Sequence, residues 1–137
     1  MELGLLRVSA PASAHATVII RDCYDVDTCT TRAGEKIRLA CINTPELKER
    51  RVNPAPAKQA RNYLNCLVAD QKIQLKPITK DRYGRSVGEL FKGDTNIQQQ
   101  MLTSGHAEIY RKYAHQCEWT QSLLLNNSNP RQVLVFY

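Results

Sequence analysis

The sequence predicts an α+β domain, on three observations. Short β-branched runs with period-two alternation stand on both sides of one long helix-like segment, turn residues separate them, and helical spacing returns after the last of them. At 137 residues the chain has the length of one domain and can bury a core without staples.

The elements follow in order. Residues 17–23, Thr-Val-Ile-Ile-Arg-Asp-Cys, form the first predicted strand because β-branched side chains fit a pleated surface. Residues 28–32 form the second, with Ala33-Gly34-Glu35 as its turn. Residues 36–42 form the third, where Ile37, Leu39 and Cys41 alternate with Arg38, Ala40 and Ile42. That alternation puts Arg38 on the face opposite Ile37 and Leu39, where its guanidinium needs an anionic partner or solvent. Pro45 ends the run, since proline cannot donate to a ladder. The polar, basic stretch 47–54 reads equally as a solvated loop or a ligand-facing one.

Residues 55–69 are a predicted helix, with Ala60, Tyr63, Leu64 and Leu67 at helical spacing. Residues 71–77, through Ile73, Leu75 and Pro77, are the fourth strand, and residues 86–92, through Val87, Leu90 and Phe91, the fifth. Gly93-Asp94 then turns the chain into a short helix, 96–104, closed by Gly105. Residues 117–125 begin as another helix before Asn126-Asn127-Ser128-Asn129-Pro130 breaks it. Five strands with two to three α-helices in this order suit a small β-barrel of the OB-fold type.

A composition of 42% hydrophobic and 23% charged residues is that of a globular domain, and no stretch is long and apolar enough to span a membrane. The net charge of +6 and isoelectric point near 9.2 favour anionic partners such as nucleic acid, although many small basic proteins bind nothing in particular. Five cysteines at irregular spacings include no Cys-x-x-Cys pair, which argues against a structural zinc site. Cys23, Cys29 and Cys41 lie in strand-like runs, where buried thiols acting as small hydrophobes are the default; whether any two pair is left open.

Residues 1–16 read as a leader or partial signal segment, 17–125 as the domain, and 126–137 as an atypical, apolar tail. Ala14-His15-Ala16 has the small residues of an export cleavage site, but the apolar run before it is shorter than the roughly 7–15 residues a signal core needs. The expected location is secreted or periplasmic if that segment is a signal, and cytoplasmic otherwise.

Two motifs carry chemistry: Ile37-Arg38-Leu39-Ala40-Cys41-Ile42-Asn43-Thr44-Pro45-Glu46, and Asp81-Arg82-Tyr83-Gly84-Arg85. Together they supply two arginines, whose planar forks can each hold two phosphate oxygens, and a carboxylate able to accept a proton from water. Asp25-Val26-Asp27-Thr28 adds hard oxygen donors of the kind Ca2+ prefers. The set suits metal-dependent phosphodiester hydrolysis. Taken singly, Arg38 could be an ion-paired strand residue, Arg85 a turn cation and Glu46 a loop carboxylate. Tyr83, Tyr110 and Tyr113 could stack on bases or simply pack. His106 and His115 have no ligand-like spacing, and Asp25 reads equally as a turn aspartate or a secondary cation neighbour.

These motifs, with Gly105-His106-Ala107, resemble in order and separation those of the staphylococcal nuclease family across residues 16–113. The resemblance implies an OB-fold-type barrel and Ca2+-dependent hydrolysis of DNA and RNA, single- or double-stranded, by a monomer, leaving 3′-phosphates. It implies that Arg38 and Arg85 bind and stabilise the scissile phosphate and that Glu46 activates or orients water. It further implies that Asp27, residue 43 and the Thr44 carbonyl hold calcium, and that Tyr83 and Tyr113 contact nucleotide.

The chain departs from the pattern in three places. Asn43 stands where the family has an aspartate, removing one negative charge and predicting weaker calcium binding. Val26 replaces the customary glycine and would be strained if that position needed a positive φ. The tail replaces a long charged terminal helix, which predicts lower stability and an aggregation-prone segment if it does not pack. Two further readings follow from these departures: a noncatalytic nucleic-acid or protein binding module on the same barrel, and a defective product that hardly folds.

Overall fold

The computed structural model describes residues 15–44 and 53–126, the side chains of 125 and 126 excepted. Five strands, β1 (Ala16–Cys23), β2 (Thr28–Thr31), β3 (Lys36–Leu39), β5 (Lys72–Lys80) and β6 (Ser86–Lys92), make a closed mixed barrel. Antiparallel pairings join β3 to β2, β2 to β1, β1 to β5 and β5 to β6, and a parallel pairing of β3 with β6 completes the circuit. The remaining described elements are β4 (Ile42–Asn43), α1 (Ala55–Val68), β7 (Thr95–Asn96), α2 (Ile97–Thr103), β8 (Glu108–Ile109), a 3-10 helix (Arg111–Gln116) and α3 (Glu118–Asn126). This is the α+β, OB-fold-type architecture the sequence predicts.

The period-two pattern sends Ile20, Ile37, Leu39, Ile73, Leu75 and Leu90 into the barrel, where all are buried. Helix α1 covers one end with Ala57, Ala60, Leu64 and Val68, and Tyr63 and Leu67 pack partly buried beside them. Its Asn65 amide takes the Cys23 N–H at 2.8 Å and donates to the Cys23 carbonyl at 2.8 Å, so one side chain satisfies both backbone groups at the end of β1. Helix α2 starts where the Asn96 side-chain Oδ1 accepts the Gln99 N–H at 3.0 Å and stops at Gly105, whose φ of 83° suits a left-handed helix end. Helix α3 is moored by Trp119, whose indole N–H donates to the buried Glu89 carboxylate at 2.7 Å.

Several boundaries differ from the sequence reading, most of them by a single residue. The first strand begins one residue earlier, and His15 stacks on Phe91 with ring centroids 5.4 Å apart. The third predicted strand is two: Cys41 has φ 69°, so the chain turns after Leu39, and β4 leaves the barrel to pair with β8. The fourth runs on past Pro77 to Lys80. Proline is tolerated there because β5 at Pro77 pairs with β6 alone, next to a register shift between Pro77 and Thr79.

The reading of the cysteines as buried thiols is corrected. Cys23 and Cys29, opposed across β1 and β2, form one disulfide, and Cys41 and Cys117 form another across 76 positions. Cys66 is free and exposed. Of the predicted leader and tail, residues 1–14 and 127–137 lie outside the described residues. No helix among the described residues is long and apolar enough to cross a membrane.

Loop-closure entropy ranks the two cross-links. Replacing both Cys41 and Cys117 by serine is expected to lower the unfolding free energy by about 4 kcal/mol, and replacing Cys23 and Cys29 by about 2 kcal/mol, in urea titrations. Gly88 has no room for a side chain: a Cβ there would lie 2.7 Å from Leu75 Cδ1 and 2.8 Å from the Lys76 carbonyl oxygen. Gly88→Ala is expected to cost roughly 1–3 kcal/mol, read the same way.

Candidate active site

Asp27 ends the loop between β1 and β2, which the Cys23–Cys29 disulfide closes at its base. Val26 fills the core beneath that loop, 2% exposed. Among the described non-glycine residues only Cys41 and Asp70 have positive φ, so valine carries no backbone strain at 26. The loop is fixed against β3 by the Leu39 N–H, which donates to the Asp27 carbonyl at 2.9 Å. In this position the Asp27 carboxylate meets Arg38, with Nη2 to Oδ2 at 3.4 Å and both side chains mostly covered, 15% and 16% exposed. Arg38 also donates through Nη1 to the carbonyl of Leu39. Of the two outcomes the strand pattern allowed for Arg38, an anionic partner or solvent, the structure gives the first, and the partner is Asp27.

Arg85 is set by its own turn. The Asp81 carboxylate accepts the Tyr83 N–H at 2.9 Å and the Arg85 N–H at 3.0 Å through Oδ1, and Arg85 Nε at 2.6 Å through Oδ2. Gly84, at φ 84°, lets the turn close. Burial, the largest single influence on the Asp81 carboxyl, raises its pKa. The Arg85 N–H, the Arg85 side chain, the Tyr83 N–H and the Arg85 charge together outweigh it and hold the group below its ordinary value of 3.8. The Arg85 guanidinium reaches on to Thr28 Oγ1 at 3.2 Å, and that hydroxyl donates to Asp27 Oδ1 at 3.0 Å. Asp81, Arg85, Thr28, Asp27 and Arg38 form one connected chain.

Arg38 and Arg85 open onto a single cleft of about 750 Å³, which Asn43, Tyr83, Tyr110 and Tyr113 also line. Lys80, Arg82 and Lys112 on its walls make five cations against one carboxylate, Asp81. Tyr83 is 71% exposed, under the guanidinium groups of Arg82 at 5.1 Å and Arg85 at 5.7 Å. Tyr113, 39% exposed, meets Tyr110 edge-on at 5.0 Å and carries the Lys112 ammonium 5.4 Å from its ring.

The predicted residues thus divide. Arg38, Arg85, Asn43, Tyr83 and Tyr113 share the cleft, Asp27 stands behind Arg38, and Thr44 is half-buried just past β4, off the cleft lining. Glu46 lies outside the described residues. Asp25 accepts the Val26 N–H at 2.8 Å, as a turn aspartate does, and His106 packs on Tyr63 at 4.8 Å, away from the cleft. Tyr110 was one of three candidate stacking rings without a role; it stands 6.0 Å from the Arg38 guanidinium. Lys80, Arg82 and Lys112 were missed, although each lies within two residues of a motif arginine or tyrosine.

The donors assigned to calcium, Asp27, Asn43 and the Thr44 carbonyl, are all hard oxygens, which suits that ion. Among them Asp27 alone carries charge, and its carboxylate is engaged by Arg38 and Thr28. Among the described residues no three His, Cys, Asp or Glu side chains cluster.

Residues 36–132 match the family described as staphylococcal nuclease homologue. The two strands β1 and β2 precede that span yet supply two of the five barrel strands. A micrococcal nuclease of Shigella flexneri is 33% identical over 121 residues, 80% of this chain and 67% of that protein. A protein of Haemophilus influenzae named as an uncharacterized endonuclease is 31% identical over 93 residues, 66% of this chain and 49% of the relative. An uncharacterized endonuclease of Escherichia coli O157:H7 is 28% identical over 104 residues, 74% of this chain and 65% of the relative. The chain therefore spans about half the length of the Haemophilus protein and just under two thirds of the Escherichia one.

The depressed Asp81 pKa fixes a sign for acid sensitivity. A carboxyl whose folded pKa lies below its unfolded one adds stability that is complete above about pH 4 and is lost as pH falls through the folded value. Asp81→Asn is expected to be less stable than the parent at pH 5–7, with the gap closing below pH 4, in urea titrations across that range.

Proposed function

Because this chain belongs to the staphylococcal nuclease homologues, we propose that it is a calcium-dependent nuclease that hydrolyses DNA and RNA, single- or double-stranded, at the bond from phosphorus to the 5′ oxygen, leaving 3′-phosphates. The observation that carries the reading is the convergence of Arg38 and Arg85 on one cation-rich cleft, each held by its own carboxylate and joined through Thr28.

Attack of water on the phosphodiester piles negative charge onto the nonbridging oxygens. Two guanidinium groups already in place stabilise that state more than the ground state, since little reorganisation is needed when the charge appears. Lys80, Arg82 and Lys112 raise the local potential and draw the polyanion in. Tyr83 and Tyr113 offer ring faces to the flanking nucleotides. Glu46 takes the proton of the attacking water as the new P–O bond forms, and the 5′ oxygen departs and is protonated from solvent. Asp27, Asn43 and the Thr44 carbonyl would hold calcium, which when bound supplies Lewis-acid polarisation and positions the substrate. Asn43 leaves that set one charge poorer, so calcium is held more weakly than by two aspartates.

The two disulfides support export to an oxidising compartment, consistent with the secreted or periplasmic expectation. The protein acts as a monomer on this reading.

Purified protein is expected to degrade single-stranded DNA with calcium, to stop in chelator, and to leave 3′-phosphate ends. Arg38→Gln and Arg85→Gln should each lose at least about tenfold in rate, roughly 1.4 kcal/mol, and Glu46→Ser should lose cleavage while retaining DNA binding. Asn43→Asp should tighten calcium, measured by titration calorimetry. Folded protein that binds DNA without cutting it in either condition would instead support the noncatalytic binding module.

A further inference from the structure

Tyr83 faces two clefts. Beyond the one that holds Arg38 lies a second, of about 520 Å³, between the turn joining β2 to β3 and the turn at residues 81–85. Lys36, Lys80 and Arg85 line it, with Glu35 as its one carboxylate. That carboxylate accepts the Ser86 hydroxyl at 2.6 Å and is committed to the barrel wall. Lys36 is exposed, and among the described residues its ammonium has no ion pair; it stands 5.4 Å from the ring of Tyr24. Tyr24 is 48% exposed, and it borders a small third recess with Lys58 and Arg61 of α1.

Large aromatic rings left open to solvent, each with a cation against its face, alternate along this surface: Tyr113 with Lys112, Tyr83 with Arg82 and Arg85, then Tyr24 with Lys36. Single-stranded nucleic acid is gripped by such alternation, because every base has a face that can stack and every linkage a phosphate that a cation can hold. A duplex keeps its bases stacked on one another and cannot offer their faces to Tyr83 or Tyr24.

We propose that the second cleft is a further nucleotide subsite, so that a single strand held at Arg38 and Arg85 continues over Tyr83 to Lys36 and Tyr24. The proposal rests on the reading of the first cleft as the place where a phosphodiester is held. It deepens that reading by adding a track of backbone and ring contacts that is indifferent to base sequence and favours unpaired strands.

The test is fluorescence anisotropy of labelled thymidine oligonucleotides of two to eight residues in chelator, with the parent chain, Lys36→Gln and Tyr24→Ala. Both side chains are exposed, and thermal melting verifies that the variants are folded. For the octamer, Lys36→Gln is expected to reduce the slope of log affinity against log salt by about 0.7, the loss of one phosphate contact. Tyr24→Ala is expected to weaken octamer binding by about fivefold. Neither should alter dinucleotide affinity or, with calcium restored, dinucleotide cleavage. Parent protein that cuts DNA while both variants bind the octamer unchanged would overturn the track and leave the nuclease reading standing. Parent protein that cuts nothing, but whose octamer affinity depends on Lys36 and Tyr24, would uphold the track and defeat the nuclease reading. Equal weakening of dinucleotide and octamer would overturn the track.

Discussion

The parallel pairing of β3 with β6 governs both the fold and the site. It is the contact that closes the barrel, with Ile37 opposite Ser86, Arg38 opposite Val87 and Leu39 opposite Gly88. The same register sets Arg38 opposite Val87, two residues along from Arg85, which immediately precedes β6. A slip of one residue would send Ile37 and Leu39 outward and Arg38 into the core, where an unpaired guanidinium is very costly. Core packing therefore enforces the spacing of the two cations. On the other side of β6, Gly88 lets that strand lie close against β5, since the space a Cβ would need is taken by Leu75 and the Lys76 carbonyl.

Holding two like charges beside one cleft requires that each be fixed without being neutralised. Asp81 does this for Arg85 by accepting Nε along one edge of the guanidinium while its other oxygen organises the turn backbone. Asp27 does it for Arg38 at a looser 3.4 Å, and Thr28 bridges the two pairs. The cleft itself remains strongly cationic, because Lys80, Arg82 and Lys112 line it with the two arginines against the single carboxylate of Asp81, and Asp27 lies behind Arg38. Preorganised charge of this kind needs little movement when an anion arrives.

Much of this was legible in the sequence. The strands of the barrel and helix α1 followed from β-branched runs and from Ala60 and Leu64, because periodicity reports directly which face is buried. That Arg38 needs an anionic partner or solvent was also legible, since it alternates with Ile37 and Leu39 and faces away from them. The partner's identity was not: Asp27 is brought there by the β1–β2 loop and by Val26 seating in the core, a tertiary effect. The break at Cys41 was hidden for a similar reason. A non-glycine residue at φ 69° is uncommon, and here it is held by a disulfide to a partner 76 positions away. Asn65, whose amide closes the end of β1, carries no local signal at all.

The cross-links give the departures from the family pattern a physical sense. Cys23–Cys29 cinches the loop that delivers Asp27 and Thr28. Cys41–Cys117 ties the chain between Arg38 and Asn43 to the segment just after Tyr110 and Tyr113, so the two sides of the cleft are joined covalently. On the far side of Cys117, α3 is anchored by Trp119 on Glu89 and by Thr120, whose hydroxyl donates to the backbone of the preceding turn. The sequence already departs from the family there, with an atypical tail in place of a long charged terminal helix and lower stability as the expectation. Among the described residues, α3 is held by the disulfide that immediately precedes it and by one part-buried indole–carboxylate contact. That places a covalent restraint beside the cleft onto which Arg38 and Arg85 both open.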